Sequence, residues 1–277
     1  MKEQFKISII TVSFNAVTTI EKTILSVINQ TYDNIEYIII DGGSTDGTID
    51  IIRKYSDNIA YWISEPDKGI YDAMNKGAAI ASGKYIQYLN SSDRINNDNT
   101  IENIVKEILT KKSDIYYGDI IIEKKFGIYH FKPDSLEKFK YSFPIYHPST
   151  WIKREIMLQE KFETSYKIAA DFNLFRGLFY KNRSFTYLPI IFTKFEGYDG
   201  ISSTSVYNNW VECQIITNKN KQKFWSFYKS LFYIKDKLRL LIYNFFNCFD
   251  SDFQNRREHS FFIKDIRLAE IIEDKYK

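Results

Sequence analysis

The run Ile35–Asp41, IEYIIID, is almost unbroken in large β-favouring residues. A strand with one wet face alternates apolar and polar side chains. A strand that is apolar at successive positions has to be covered on both faces, as in parallel sheets layered between helices. The flanking sequence supplies such helices. Residues 19–30, TIEKTILSVINQ, place Ile20, Ile24, Val27 and Ile28 on one helical face. Residues 48–55, TIDIIRKY, start another helix, with Asp46 or Thr48 as its cap.

The alternation extends in both directions. Residues 6–14, 59–65 and 84–89 read as strands, residues 69–81 and 99–109 as helices, and residues 113–122 as a strand turning into a hairpin. This order predicts an α/β fold with a mostly parallel sheet and right-handed crossovers. Ligands bind such sheets beyond the carboxyl ends of the strands. Those ends carry Thr11, Ser13 and Asn15, then Asp41, then Glu65 and Asp67, then Asn90, Ser92 and Asp93. One strand-end aspartate is ordinary turn chemistry. Several on one rim, far apart in sequence, suggest a site.

After Asp119 the pattern changes. Residues 120–132 resemble an antiparallel hairpin, and residues 147–156, HPSTWIKREI, a loop or strand entering a helix. Residues 166–181 form a helix with Asp171 near its start. Residues 185–196 are a strand that Pro189 restricts to an edge or a bulge. The segment GYDGISS, residues 197–203, is either a plain turn or a flap with glycine hinges. From Val206 onward the pattern is helical only, so residues 1–205 are expected to form one domain and residues 206–277 a helical extension. In that extension Phe224, Phe227, Leu231, Leu238, Leu241, Phe245 and Phe249 fall near one stripe, crowded by Lys219, Lys221, Lys223, Lys229, Lys235, Lys237 and Arg239, with Asp236 the main opposing acid. Such a helix suits a membrane interface. It equally suits an apolar face packed on its own domain with lysines in water.

Composition excludes several classes. Hydrophobic residues make up 44% and charged residues 26%, which supports a folded core rather than disorder. A net charge of +3 is too mild to imply nucleic acid as a partner. Cys213 and Cys248 match no metal or redox spacing and suggest a reducing compartment. No run approaches the roughly eighteen apolar residues of a membrane span. The short apolar run ISIITVSF lacks the basic leader of a secretion signal. The expected location is cytoplasmic, with the basic tail a candidate for the inner face of the plasma membrane. Gly42, Gly43 and Gly47 fit neither the dinucleotide nor the P-loop spacing, so hydride transfer is a poor reading.

Six segments, from about Ile7 to Ser203, resemble the family 2 glycosyltransferases. They are ISIITVSFNA, IIIDGGSTDGT, SEPDKGIYDAMNKGAAIASGKYIQYLNSSD, HPSTWIKRE, AADFNLF and GYDGIS. The likeness is greatest to the bacterial branch that builds extracellular and capsular polysaccharide. It implies the GT-A fold and transfer of a sugar, with inversion, from a nucleotide-sugar donor, usually a UDP-sugar. The implied acceptor is a hydroxyl of a saccharide or lipid-linked saccharide.

The resemblance also implies residue roles. Asp41 would accept a hydrogen bond from the uracil ring N–H; alone it reads as a turn cap. Thr11, Ser13 and Asn15 would line the nucleotide, or simply end a strand. Asp67 would face the nucleotide pocket. Lys68 would meet a phosphate or sit in solvent. Asn75, with Asp72, would bind the sugar or brace the neighbouring loop. Asp93 would hold Mg2+ or Mn2+. Ser92 stands where the family usually has a second acid, which weakens the ribose contact. His147 would orient the acceptor, touch a phosphate, or be an ordinary loop histidine. Asp171 would be the catalytic base, or a helix cap. The alternative from another class is a non-catalytic nucleotide-sugar-binding scaffold with a degenerate site, of which Ser92 would be the sign. A nucleotidyltransferase shares much of the topology, but the glycine- and arginine-rich opening expected after the first strand is missing.

Overall fold

The strands expected from apolar runs do form one sheet. The computed structural model describes residues 5–124, 127–196, 205–221 and 225–247. Its first half alternates β1 (Ile7–Ser13), α1 (Ile20–Ile28), β2 (Ile35–Asp41), α2 (Thr48–Lys54), β3 (Tyr61–Ser64), α3 (Ile70–Ile80), β4 (Tyr85–Tyr88), β5 (Asp93–Ile95) and α4 (Thr100–Ile108). There follow β6 (Ile115–Lys124), β7 (Gly127–Phe131), β8 (Thr150–Lys153), α5 (Arg154–Gln159), α6 (Ala170–Tyr180), β9 (Phe185–Glu196), α7 (Val206–Ile216) and α8 (Trp225–Asn247).

The sheet order is β3-β2-β1-β4-β8-β6-β9-β5, with β7 on β6. From β3 to β4 all pairings are parallel. Beyond β4 the sheet is mixed: β8 runs antiparallel to β4 and β6, and β9 lies parallel to β6 and antiparallel to β5. The period-two pattern of the strands divides the core. Ile10, Val12, Ile38 and Ile40 face one cluster with Met74, Phe172, Phe175 and Ile216. Ile7, Ile9, Tyr37 and Ile39 face the other with Ile20, Ile24, Ile101 and Ile104. Both faces are thus covered, as the unbroken run in β2 requires.

Two features differ from the pattern read in the sequence. The strand β5 is three residues long, too short to show a period, and exists because β9 pairs with it. The helix α7 belongs to the first compact unit, which runs to Asn218; Ile216 is buried in its core and Cys213 packs against it. The turn at Lys219–Lys221 and α8 form part of a second unit.

Pro189 sits at a bulge, on the stretch of β9 that pairs with β6 and not with β5. Along β6 and β9, Tyr117 pairs with Tyr187 and Asp119 with Ile191, so Gly118 lies opposite a stretch containing Pro189. The ladder skips there, and no bond is demanded of the missing N–H. Gly118 makes the bulge possible. A Cβ at that position would lie 2.4 Å from the Phe192 ring and 2.6 Å from the Ile190 carbonyl oxygen. Phe192 is fully buried and cannot swing away. Gly118→Ala is therefore expected to destabilise the fold by about 1–3 kcal/mol through overpacking. A lowered urea midpoint at unchanged slope is the expected reading; an unchanged midpoint would show that the bulge relaxes freely.

Candidate active site

The parallel register brings Ser13, Asp41 and Ser64 side by side at the carboxyl edge of β1, β2 and β3. Asp41 is fully buried. Its Oδ1 accepts from the hydroxyls of Ser13 (2.8 Å) and Ser44 (2.6 Å). Its Oδ2 accepts from the Ser64 hydroxyl (2.6 Å) and from the backbone N–H groups of Ser44 (2.8 Å) and Gly43 (3.1 Å). Burial is the largest influence on this carboxyl and pushes its pKa up. The donors of Ser44, Ser64 and Ser13 together outweigh it and hold the group below the usual carboxylate range. A carboxylate has about four lone-pair directions. Those of Asp41 are filled from within, so a ligand N–H would have to displace one of these donors.

Open surface lies beside this knot. Phe14 follows β1 and is 65% exposed. Gly42 lets it and Asp67 approach: a Cβ on Gly42 would lie 2.7 Å from Asp67 Oδ2 and 3.3 Å from the Phe14 ring. Asp67 is half-buried, and its Oδ1 accepts from the Gly69 N–H (2.7 Å). Lys68 is exposed, with its backbone N–H donating to Asp72 (3.1 Å). Asn15 adopts a left-handed backbone, φ 48°, and ties the 44–45 turn to β1: its N–H donates to Ser44 Oγ, and its Oδ1 accepts from the Thr45 N–H.

On the other side of β1, the turn after β4 is hung on the same edge by the Ser91 N–H donating to the Val12 carbonyl (3.2 Å). Ser92 is half-buried in that turn. Asp93 follows with only 1% exposure. The buried Thr23 hydroxyl of α1 holds its carbonyl (2.7 Å), and the Asn90 N–H donates to its Oδ2 (3.0 Å). Its Oδ1 is buried with no hydrogen-bond partner. Burial pushes the Asp93 carboxyl up to about 6, against the opposing charge of His147 and the Asn90 bond.

His147 stands between two carboxylates. Its Nδ1 is 3.1 Å from Asp171 Oδ2, and its Nε2 is 3.2 Å from Asn90 Nδ2. Burial, the largest influence on the imidazole, pulls its pKa down, but the bond to Asp171 and the charges of Asp171 and Asp93 raise it above the ordinary histidine value. Asp171 sits in the first turn of α6. Its Oδ1 accepts from the Phe172 N–H (2.8 Å) and the Tyr71 hydroxyl (3.2 Å). His147 thus touches Asp171 directly and reaches Asp93 through Asn90, so three residues read separately in the sequence share one neighbourhood.

Other residues singled out by sequence lie elsewhere. Thr11 is fully buried within the sheet against the Tyr37 hydroxyl (3.1 Å). Asn75 spends its whole amide on the backbone of Phe162, donating to its carbonyl (2.9 Å) and accepting from its N–H (3.0 Å). Asn75 and Asp72 thus brace neighbouring loops, the second of the two roles open to them. The GYDGISS segment lies outside the described residues. Phe14 and Tyr71 are given no role by the sequence; the strand-end position of Phe14 is the one signal that marks it.

Among the described residues, no three His, Cys, Asp or Glu side chains are grouped to hold a metal ion. One donor fits a divalent cation: the unpartnered Oδ1 of Asp93. Mg2+ commonly takes one or two carboxylates and completes its shell with phosphate oxygens and water.

Comparison with known proteins gives a consistent result. Residues 8–180 match the family model described as glycosyl transferase family 2. An uncharacterized glycosyltransferase of Mycobacterium tuberculosis is 42% identical over 106 residues, which is 38% of this chain and 40% of that one. The chain thus spans less than half the length of that relative. A PGL/p-HBAD biosynthesis glycosyltransferase of the same species is 26% identical over 205 residues, 72% of this chain and 80% of the relative. Among solved structures, S. aureus TarS 1-349 in complex with UDP-GlcNAc superposes with a TM-score of 0.61 at 19% identity, covering 76% of this chain and 65% of TarS. The mannosyltransferase PcManGT from Pyrobaculum calidifontis, in complex with GDP-Man and Mn2+, gives 0.60 at 17% identity, covering 80% and 66%.

The two strand-edge aspartates should respond oppositely to neutralisation. Asp41→Asn turns an amide donor toward groups that are themselves donors, and is expected to cost about 2–4 kcal/mol. Asp93 has a native pKa of about 6 against an ordinary 3.8. The native state therefore holds the proton more tightly than the unfolded chain, and ligand-free stability falls as pH rises from about 4 to about 6. Asp93→Asn should remove that fall and stabilise the ligand-free protein at pH 7 by about 2–3 kcal/mol. Denaturant titrations at pH 4.5 and 7 measure both; equal signs for the two variants would refute the contrast.

Proposed function

The chain belongs to the family 2 glycosyltransferases and has the GT-A fold, and from that premise we propose that it moves a sugar from a UDP-sugar to a hydroxyl acceptor with inversion. The observation that carries this reading is the meeting of Asp93, His147 and Asp171 at the carboxyl edge of the parallel strands. That edge is where open α/β sheets bind ligands. A partly exposed carboxylate there, fixed in direction, can serve as a general base.

Asp171 has this form. Its side chain is 14% exposed, and His147 and the Phe172 N–H occupy two of its about four acceptor directions, with the Tyr71 hydroxyl 3.2 Å away. A remaining direction is available to an acceptor O–H. In the proposed step Asp171 takes the hydroxyl proton as the acceptor oxygen bonds to the anomeric carbon. The bond from that carbon to the phosphate oxygen breaks on the opposite face, and UDP leaves. A single displacement inverts the anomeric centre and needs no enzyme nucleophile, and none is assigned. His147 fixes the orientation of Asp171. Asp93 Oδ1 would hold a Mg2+ or Mn2+ ion, which when bound supplies neutralisation of the diphosphate charge.

For the nucleotide, the reading uses Phe14 as a stacking face beside Asp67, with Lys68 free to meet phosphate as a point charge. Ser13, Ser44 and Ser64, held by Asp41, frame the position next to it. In this arrangement Asp41 acts through those hydroxyls and not by direct contact with the base. Ser92 supplies a hydroxyl toward ribose. TarS is complexed with UDP-GlcNAc and PcManGT with GDP-Man, so a panel of both nucleotide types decides the base.

The panel, scored by release of UDP or GDP with and without Mn2+, is expected to single out a UDP-sugar and to require the cation. Asp171→Asn should lower turnover by at least about 100-fold while UDP affinity stays within about twofold. Asp93→Ala should abolish both transfer and cation-dependent UDP binding. Full activity in either variant would overturn its role. UDP binding without turnover on any donor would favour the non-catalytic scaffold, the reading to which Ser92 lends support.

A cytoplasmic enzyme of cell-surface polysaccharide synthesis, working on a lipid-linked acceptor, completes the reading. Among the described residues no helix is long and apolar enough to cross a membrane. In α8, however, Phe227, Leu231, Ile234 and Leu238 recur at helical spacing and are each about half exposed or more (61%, 49%, 53% and 52%). Lys229, Lys235 and Lys237 share that helix. An exposed apolar stripe with basic flanks binds anionic interfaces. The protein is expected to co-sediment with vesicles containing phosphatidylglycerol and not with pure phosphatidylcholine, and to lose binding when the three lysines become glutamate. Equal partition between the two vesicle types would sink the membrane role.

A further inference from the structure

We propose that Glu212, in α7, is a positioning residue for Asp171; the inference rests on the base role given to Asp171 above. Glu212 lies in the stretch that sequence alone assigns to the helical extension. Its carboxylate accepts three consecutive backbone N–H groups: Lys167 at Oε1 (2.8 Å), and Ile168 (2.9 Å) and Ala169 (2.8 Å) at Oε2. These amides lead directly into α6, whose second residue is Asp171.

The arrangement answers a specific need. The three amides lie just ahead of α6, with Ala169 at its cap position, and none of them can bond within the helix. A carboxylate from a helix remote in sequence accepts all three, and its negative charge also suits the positive end of α6. The donor of that carboxylate is itself anchored: Ile216, one turn on in α7, is buried in the core.

The same segment is gripped from the opposite side. The Tyr71 hydroxyl of α3 donates to the Ile168 carbonyl (2.5 Å) and lies 3.2 Å from Asp171 Oδ1. Burial raises the Tyr71 phenol far above its ordinary value, with the charge of Asp171 next in effect, so it stays a protonated donor. Residues 167–169 are thus held at their N–H groups by α7 and at a carbonyl by α3. The base sits two residues beyond that clamp. Removing one jaw lets Asp171 drift from His147 without emptying the nucleotide side of the site, which is built from β1, β2 and the loop after β3. A misplacement of about 1 Å costs on the order of 100-fold in rate.

The test compares wild type, Glu212→Ala and Glu212→Gln in the full chain. Glu212→Ala is expected to lower kcat about 10- to 100-fold while KM for donor and the affinity for UDP stay within about twofold. Amide hydrogen exchange at residues 167–172 should quicken in Glu212→Ala, with the strands β1 and β2 unchanged. Glu212→Gln keeps an acceptor oxygen of the same reach and should recover part of both losses. Wild-type kcat in Glu212→Ala, or a loss shared equally by UDP affinity, would overturn the proposal, as would unchanged exchange at 167–172. If the wild-type protein transfers no sugar at all, the functional reading fails on its own. The exchange experiment then still decides whether Glu212 clamps this segment.

Discussion

An imidazole held between two carboxylates sets the terms for the rest of the candidate site. Asp93 and Asp171 come from distant parts of the sequence, one from the turn after β4 and the other from the start of α6. Two negative charges brought to one partly dry edge would repel each other and pay the desolvation cost without return. His147 changes that balance. It bonds Asp171 directly, and its charge also favours ionised Asp93. The carboxylates in turn raise the imidazole above its ordinary value. The imidazole and Asp93 thus each favour the charged form of the other.

Asp41 and Asp93 show how little residue type alone determines. Both lie at the carboxyl edge of the same parallel sheet, and both are almost wholly buried. Asp41 is surrounded by hydroxyls and amides from two neighbouring strand ends and one turn, which fill its lone pairs and hold it ionised. It behaves as a fastener for the edge. Asp93 has one amide on one oxygen and nothing on the other, and burial pushes its pKa up. A satisfied buried charge stabilises a fold, while an unsatisfied one costs stability and is retained where it has a task. The two carboxylates thus differ in what the fold leaves open on them: nothing on Asp41, one oxygen on Asp93.

Much of the architecture is legible in the chain because its determinants are local. Apolar runs in β1, β2 and β4 and helical spacing in α1, α3 and α4 are short-range signals, and parallel order follows from their alternation. The short β5 is not legible: three residues have no period, and only β9 makes them a strand. The bulge at Pro189 is half legible, since proline forbids a regular ladder there, but the close packing of Gly118 on Phe192 appears only in three dimensions. Among site residues, Asp93, His147 and Asp171 are marked by their segments, and the structure brings them together. Thr11 and Asn75 fall in equally suggestive segments, yet their polar groups turn to Tyr37 and to the Phe162 backbone. A sequence gives the position of a side chain along a strand or helix; it does not give the partner that side chain will find across the fold.

The boundary between domain and extension is the clearest case of that difference. Helical periodicity begins at Val206 and continues, so the sequence offers no reason to separate α7 from α8. Packing does separate them. Ile216 lies in the main core, and Glu212 reaches back to the amides that open α6. Those amides lead into α6, and an N–H there such as that of buried Ala169 is costly to leave without an acceptor. The unit that carries the candidate base is therefore closed only when α7 is present. Its apolar residues complete a core, and its carboxylate ties down the segment that opens α6. A cut placed at residue 205 on grounds of periodicity would remove a core contact and one side of the clamp on Asp171 together.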